Sequence, residues 1–361
     1  MIRLLITEDS KVIRRYLEEI FSNEPDFEVV GTAQNGAEAV EMVGTLRPDV
    51  ITMDIHMPVM NGFIATRKIM EKSPTPIVIV SASYNPDEVE KTFKTMEAGA
   101  VAAMEKPQGL ATPDTDLYVR ELIQTVRTMS KVKVVRRWSK DKFIKKSQPA
   151  RPVTIEKKVI PSKEPVYKKP KISTKKITIV AMGASTGGPI VLEKILSGLP
   201  KNFPVPVVIV QHIAKGFLPG MASWLTDRSG FNVRIPDQGE FVQPHTAYLA
   251  PDGFQIGIDK EFRVLLNDDY SNSILVPSVS YLFNSVAESF GEHAIGVLLT
   301  GMGRDGAQEL GLIKQKGGIT IVQDKESSII HGMPGEAIKL GSHQYVLHSD
   351  IIANKIVSLV S

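Results

Sequence analysis

Residues able to do chemistry stand directly after apolar runs in this chain, and they form two groups. In the N-terminal part, Glu8 and Asp9 follow IRLLIT (2–7) and Asp54 closes DVITMDI (49–55). Ser81 lies in PIVIVSA (76–82), and Lys106 ends VAAMEK (101–106). Three carboxylates gathered at one edge repel and call for a cation, and an oxygen-only ligand set suits Mg²⁺ or Mn²⁺. A hydroxyl and an ammonium across the cleft could receive a negative group added at Asp54. In the C-terminal part, Ser185 follows ITIVAMGA, His212 follows VPVVIVQ, and Asp305 lies in TGMGRDGA just after AIGVLL.

The turn MGASTGGP (182–189) has two readings. One is a phosphate cradle at a helix N-terminus; the other presents Ser185 as a nucleophile, with Gly187 and Gly188 giving the backbone close access. Its G-x-x-x-G-G spacing matches the dinucleotide fingerprint G-x-G-x-x-G poorly. A serine nucleophile needs a base, and the base an orienting acid. His212 and Asp305 stand at the same kind of strand end as Ser185. His245 and His293 precede strands, so they belong to the opposite edge if those strands are parallel. His331, in IIHGMPGEA, is a candidate for lining the cleft. His343 and His348 flank a late strand, and His56 lies in the loop after Asp54. Singly, a Ser in a Gly-rich turn is more often a cap and a Gly-flanked Asp a turn residue. Three such residues at one sheet edge argue for chemistry.

The elements that must position these residues alternate. IRLLIT, EVVGTA (28–33), DVITMDI, PIVIVSA and VAAMEK read as strands, each followed by a segment of helical period, the last around LYVRELIQTVRTM (117–129). The pattern implies βαβ units and a parallel sheet. The C-terminal part repeats it, with short strands at AYLAP (247–251), FQIGI (254–258) and FRVLLN (262–267) that include a possible hairpin, and a helix over 276–291. In open parallel sheets, ligands gather beyond the carboxyl ends of the strands.

Between the two parts the composition changes. Residues 131–176 hold 17 Lys+Arg against Asp141, Glu156 and Glu164, a net +14. The whole chain of 361 residues carries only +3, so the remainder is −11. With prolines at 149, 152, 161, 165 and 170 and no sustained apolar period, this segment reads as an extended linker. The division is therefore 1–130, linker 131–176, and 177–361. The absence of cysteine removes disulfides, Cys-ligated zinc and thiol catalysis. The N-terminus lacks a signal-peptide pattern and no apolar run reaches membrane-helix length, so a cytoplasmic protein without membrane insertion is expected.

The acid pair, the central Asp54 with MPVMNG, Ser81 and Lys106-Pro107 resemble the receiver domain of bacterial response regulators over about residues 1–127. That resemblance implies a flavodoxin-like fold with a five-stranded parallel sheet. It implies phosphorylation of Asp54 by a histidine kinase, Mg²⁺ held by Glu8, Asp9 and Asp54, and phosphoryl oxygens held by Ser81 and Lys106. Family members often carry an acidic–aromatic pair where this chain has Ala102 and Ala103, so coupling from Ser81 to the outer face is expected to be altered.

GASTGG, the Gln-His after a strand, LTGMGRDGA, AYLAPDG, PSVSYLFNSVA and GMPGEA resemble the catalytic domain of chemotaxis protein-glutamate methylesterases over about 177–358. The resemblance implies a Rossmann-like α/β/α domain with a mostly parallel sheet. It implies Ser185 as nucleophile, His212 as base and Asp305 as orienting acid, with backbone N–H groups near Thr186 and Met302 as the oxyanion hole. The implied substrate is a glutamyl methyl ester on a chemotaxis receptor; ester hydrolysis would need no metal. His331 stands where an apolar or aromatic residue is more usual.

The same triad could also deamidate receptor glutamines. A receiver with a DNA-binding output is the non-enzymatic alternative, motivated by the basic segment but lacking a helix-turn-helix; no nucleic-acid partner is expected. The unphosphorylated receiver is expected to cover the catalytic cleft of a monomeric protein.

Overall fold

The computed structural model describes residues 1–81, 86–106, 114–134, 176–268 and 275–360. Residues 107–113, and all of the expected linker 131–176 except 131–134 and 176, therefore lie outside the described residues.

The N-terminal domain runs β1 (Ile2–Thr7), α1 (Lys11–Ser22), β2 (Phe27–Ala33), α2 (Gly36–Leu46), β3 (Val50–Met53), α3 (Gly62–Lys72), β4 (Ile77–Ser81), α4 (Pro86–Ala98), β5 (Ala102–Glu105) and α5 (Asp114–Met129). Its sheet is ordered β2-β1-β3-β4-β5, and every pair is parallel. β3 and β4 are buried along their whole length, which is why they read as unbroken apolar runs rather than alternating ones. Helix starts are written in the sequence: Ser10, Asn35 and Asn61 each accept a backbone N–H at the start of α1, α2 and α3.

The C-terminal domain continues with β6 (Ile179–Ala184), α6 (Gly188–Gly198), β7 (Val207–Gln211), α7 (Leu218–Ser229), β8 (Asn232–Arg234), β9 (Thr246–Leu249), β10 (Gln255–Ile258), β11 (Val264–Asn267), α8 (Val279–Phe290), β12 (Ala294–Leu298), α9 (Ala307–Gln315), β13 (Ile319–Gln323), α10 (Met333–Lys339), β14 (Tyr345–Leu347) and α11 (Ser349–Val360). Seven strands form one sheet, β14-β13-β12-β6-β7-β9-β8, with parallel neighbours throughout. β10 and β11 make the separate antiparallel hairpin. β8 was not foreseen; it is three residues long with only Val233 buried, too short for a periodic signal. α8 begins at Val279 rather than 276, because Pro277 precedes it and the Ser278 side chain caps it.

In each sheet the strand order reverses about a central strand. In the first, the chain leaves β1 for β2 on one side and β3 on the other. In the second, β6 leads to β7 on one side while β12 adds on the other. Such switch points open a crevice at the strands' carboxyl ends. Glu8 and Asp54 flank the first, and Ser185 and Asp305 flank the second. His245 and His293 precede β9 and β12, which are parallel to their neighbours, so both lie at the opposite edge.

The domains share an apolar contact. Phe93 of α4 stacks on Trp224 of α7 with ring centroids 5.0 Å apart, and both side chains are buried. Glu97 accepts the Trp224 indole N–H at 3.0 Å and pairs with Arg228 at 2.7 Å. Ile329 and Ile330 pack on the receiver cluster that includes Leu122, Val126 and Met129.

Candidate active site and its acidic counterpart

Ser185 follows β6, where the chain turns into α6. Its N–H donates to Thr300 O at 3.0 Å, tying the turn to the loop after β12. A Cβ at Gly301 would come within 2.7 Å of Ser185 Cβ and 2.3 Å of Met333 Sδ, so only glycine lets the two loops approach this closely.

His212 and Asp305 meet from separate strand ends, with His212 Nε2 2.9 Å from Asp305 Oδ2. Asp305 also accepts Val279 N–H at 2.7 Å on Oδ2, and Ser278 Oγ–H at 2.9 Å and Ser280 N–H at 3.0 Å on Oδ1. Burial works to raise the Asp305 pKa, but hydrogen bonds and charge from His212, then hydrogen bonds from Ser280, hold it well below the usual carboxylate range. An ionised Asp305 only accepts, so His212 Nε2 carries the proton and Nδ1 is the basic nitrogen of the neutral ring.

The two expected oxyanion donors share a design. In a trans peptide the C=O of one residue and the N–H of the next point in opposite directions. Ser185 O accepts Gly188 N–H and Gln211 Nε2, both at 2.8 Å, which turns the Thr186 N–H the other way. Gly301 O accepts the N–H groups of Gly332 and Met333, both at 3.0 Å, which does the same for the Met302 N–H.

No hydrogen bond or ion pair joins His331 to Ser185, His212 or Asp305 among the described residues. Its Nδ1 lies 3.4 Å from Ser328 Oγ, and its ring packs over Gly335. Burial, then nearby Lys325, lowers its pKa.

At the receiver's switch point, Glu8, Asp9 and Asp54 bring carboxylate oxygens within 4.8 Å of one another. Lys106 Nζ lies 2.9 Å from Asp54 Oδ2 and 3.0 Å from Glu8 Oε2. Glu8 and Asp54 are only 1% and 2% exposed. Burial, then the neighbouring Asp54, raises the Glu8 pKa to about 7 despite Lys106. Burial also raises that of Asp54. The Ser81 hydroxyl is buried with no partner among the described residues. Crowded, underpaired carboxylates offering only oxygen fit Mg²⁺.

Sequence reasoning singled out Ser185, His212 and Asp305 but missed the residues that hold them: Ser278, Ser280 and Gln211. The only letter-level signal was Ser278, a capping residue before an apolar helical run.

Two family descriptions match the chain: CheB methylesterase over residues 180–356, and response regulator receiver domain over 4–112. It is 49% identical to a protein-glutamate methylesterase/protein-glutamine glutaminase of Syntrophus aciditrophicus over 99% of this chain and 98% of that one. It is 46% identical to one from Nitrosospira multiformis over 100% of this chain and 98% of the other. A solved CheB methylesterase catalytic domain from Thermotoga maritima is 37% identical, with a TM-score of 0.49, covering 52% of this chain and 100% of that one. The chain belongs to the protein-glutamate methylesterase/protein-glutamine glutaminase family, with a response regulator receiver domain ahead of its methylesterase domain.

Proposed function

We propose that the chain removes methyl esters from glutamates of methyl-accepting chemotaxis receptors, releasing methanol, and that phosphorylation of its receiver activates it. The observation that carries this reading is the hydrogen-bonded His212–Asp305 pair at the strand edge that also presents Ser185. His212 Nδ1 takes the Ser185 Oγ proton as the oxygen attacks the ester carbonyl. Asp305 steadies the resulting imidazolium. The N–H groups of Thr186 and Met302 receive the oxyanion, each such donor being worth about 10²–10³ in rate. The imidazolium then protonates the departing methoxide. Water, deprotonated by His212, releases the glutamate carboxylate and regenerates Ser185. Receptor glutamines follow the same path with ammonia as the leaving group.

At the receiver, a histidine kinase supplies the phosphoryl group to Asp54, and Ser81 and Lys106 hold its oxygens. Glu8, Asp9 and Asp54 would hold Mg²⁺, which when bound neutralises charge on the transferring group. Inhibition before phosphorylation is supported by the receiver's position. Thr128 Oγ lies 3.5 Å from the sulfur of Met302, on the loop that bears the oxyanion donor. Mass analysis of receptor peptides after incubation with the full chain tests the chemistry. A methylated glutamate is expected to lose one CH₂, and a glutamine to exchange NH for O. Unchanged peptides in the presence of Mg²⁺ and a phosphodonor would refute the reading.

A further inference from the structure

Of the four donors that pin the two oxyanion peptides, three are backbone N–H groups: those of Gly188, Gly332 and Met333. The fourth is the side-chain amide of Gln211. We infer that Gln211 is a positioning residue for hydrolysis, acting by locking the Ser185–Thr186 peptide so that the Thr186 N–H faces the oxyanion; this rests on the reading of Ser185 as nucleophile.

Gln211 is the last residue of β7 and is buried. Its Nε2 sits between two carbonyls, 2.8 Å from Ser185 O and 2.7 Å from His212 O. One amide therefore joins the nucleophile's loop to the base's loop, and it does so through backbone atoms adjacent to the reacting groups. Both neighbours are acceptors, so the NH₂ must face them; the flipped amide would set three oxygens against one another. In this orientation Oε1 is buried with no hydrogen-bond partner among the described residues. An orphaned buried acceptor costs stability, about 1–3 kcal/mol in general. A residue chosen for stability alone would be apolar here, like the three valines and one isoleucine before it in β7.

The neighbouring turn is shaped around this side chain. A Cβ at Gly188 would fall 2.0 Å from Gln211 Oε1. The second glycine of STGG is thus explained by the space the amide occupies, and the two features belong to one device.

The predicted consequence is a loss in kcat with little change in KM, since the oxyanion forms only after substrate is bound. With Mg²⁺ and a phosphodonor present, full-length Gln211→Leu should lose about ten- to hundredfold in kcat, part of what a fully lost oxyanion donor costs. KM should stay within about threefold. Counting active sites with a serine-directed fluorophosphonate corrects for any misfolded fraction, and Gln211→Met provides a second apolar residue of similar length should Gln211→Leu fold poorly. A kcat per titrated site equal to wild type in either variant overturns the proposal. So would a rise in KM that accounts for the whole loss. Ser185→Ala, run in parallel, separates the two ideas: activity retained there removes the nucleophile assignment itself, whereas activity lost there and retained in Gln211→Leu removes only the role of Gln211.

Discussion

The two switch-point crevices of this molecule have the same architecture and opposite electrostatics. Around Asp305 four donors meet two oxygens, and the carboxylate is held well below its ordinary range. Around Glu8 and Asp54, two buried carboxylates share one lysine with Asp9 close by, and burial raises both pKa values. The first carboxylate is held in place before any substrate arrives, with both oxygens of Asp305 satisfied, although no hydrogen bond joins Ser185 Oγ to His212 among the described residues. The second site is left in deficit, so the proposed cation and phosphoryl group would change its energy by a large amount. A catalyst should not move when its substrate arrives, whereas a switch must.

Removing the nucleophile breaks the catalytic half most severely. Ser185→Ala should lower hydrolysis by about 10⁶-fold, the scale seen when a triad nucleophile is lost, with an unchanged circular dichroism spectrum. Asp305→Asn comes next, at about 10⁴-fold, because keeping the amide oxygen toward Ser278 and Ser280 turns the NH₂ toward His212, where it donates instead of accepting and the ring takes the other tautomer. The same variant has a stability signature. Asp305 has a depressed folded pKa, so its contribution is present above its unfolded pKa of about 3.9 and fades as pH falls through the lower folded value. Denaturant melts should show the wild type more stable than Asp305→Asn at neutral pH, with the gap narrowing below about pH 4.

The sequence singled out Ser185, His212 and Asp305 because each follows a buried strand. An apolar run followed by Ser185, His212 or Asp305 needs no tertiary information to be noticed. The groups that orient them were less visible for a physical reason. Asp305 is held by Ser278, Val279 and Ser280, more than twenty residues away, and two of these three contribute backbone N–H groups that no letter encodes. Gln211 stands next to His212 in the chain, yet its partners are carbonyls. The strand alternation likewise revealed both parallel sheets, while β8, with one buried residue, left no pattern. Ala102 and Ala103 pointed to altered coupling. Ala102 lies buried, and the aromatic contact between the domains comes from Phe93 of α4.

A smaller effect probes how the switch reaches the catalyst. Glu97 bridges Trp224 and Arg228 across the domain contact. Glu97→Ala should raise hydrolysis without phosphodonor by about two- to fivefold, as expected from losing a partly exposed pair worth up to about 1 kcal/mol. Rates measured without phosphodonor would reveal it; an unchanged basal rate would remove Glu97 from the proposed inhibitory contact.

The central claim is that charge added at one crevice releases chemistry at the other. Methanol release from methylated receptor membranes by the full chain, with Mg²⁺ and with or without acetyl phosphate, tests it most directly when wild type is compared with Asp54→Ala. The account predicts that acetyl phosphate accelerates the wild type and leaves Asp54→Ala at its basal rate. Equal rates in all four conditions would contradict it.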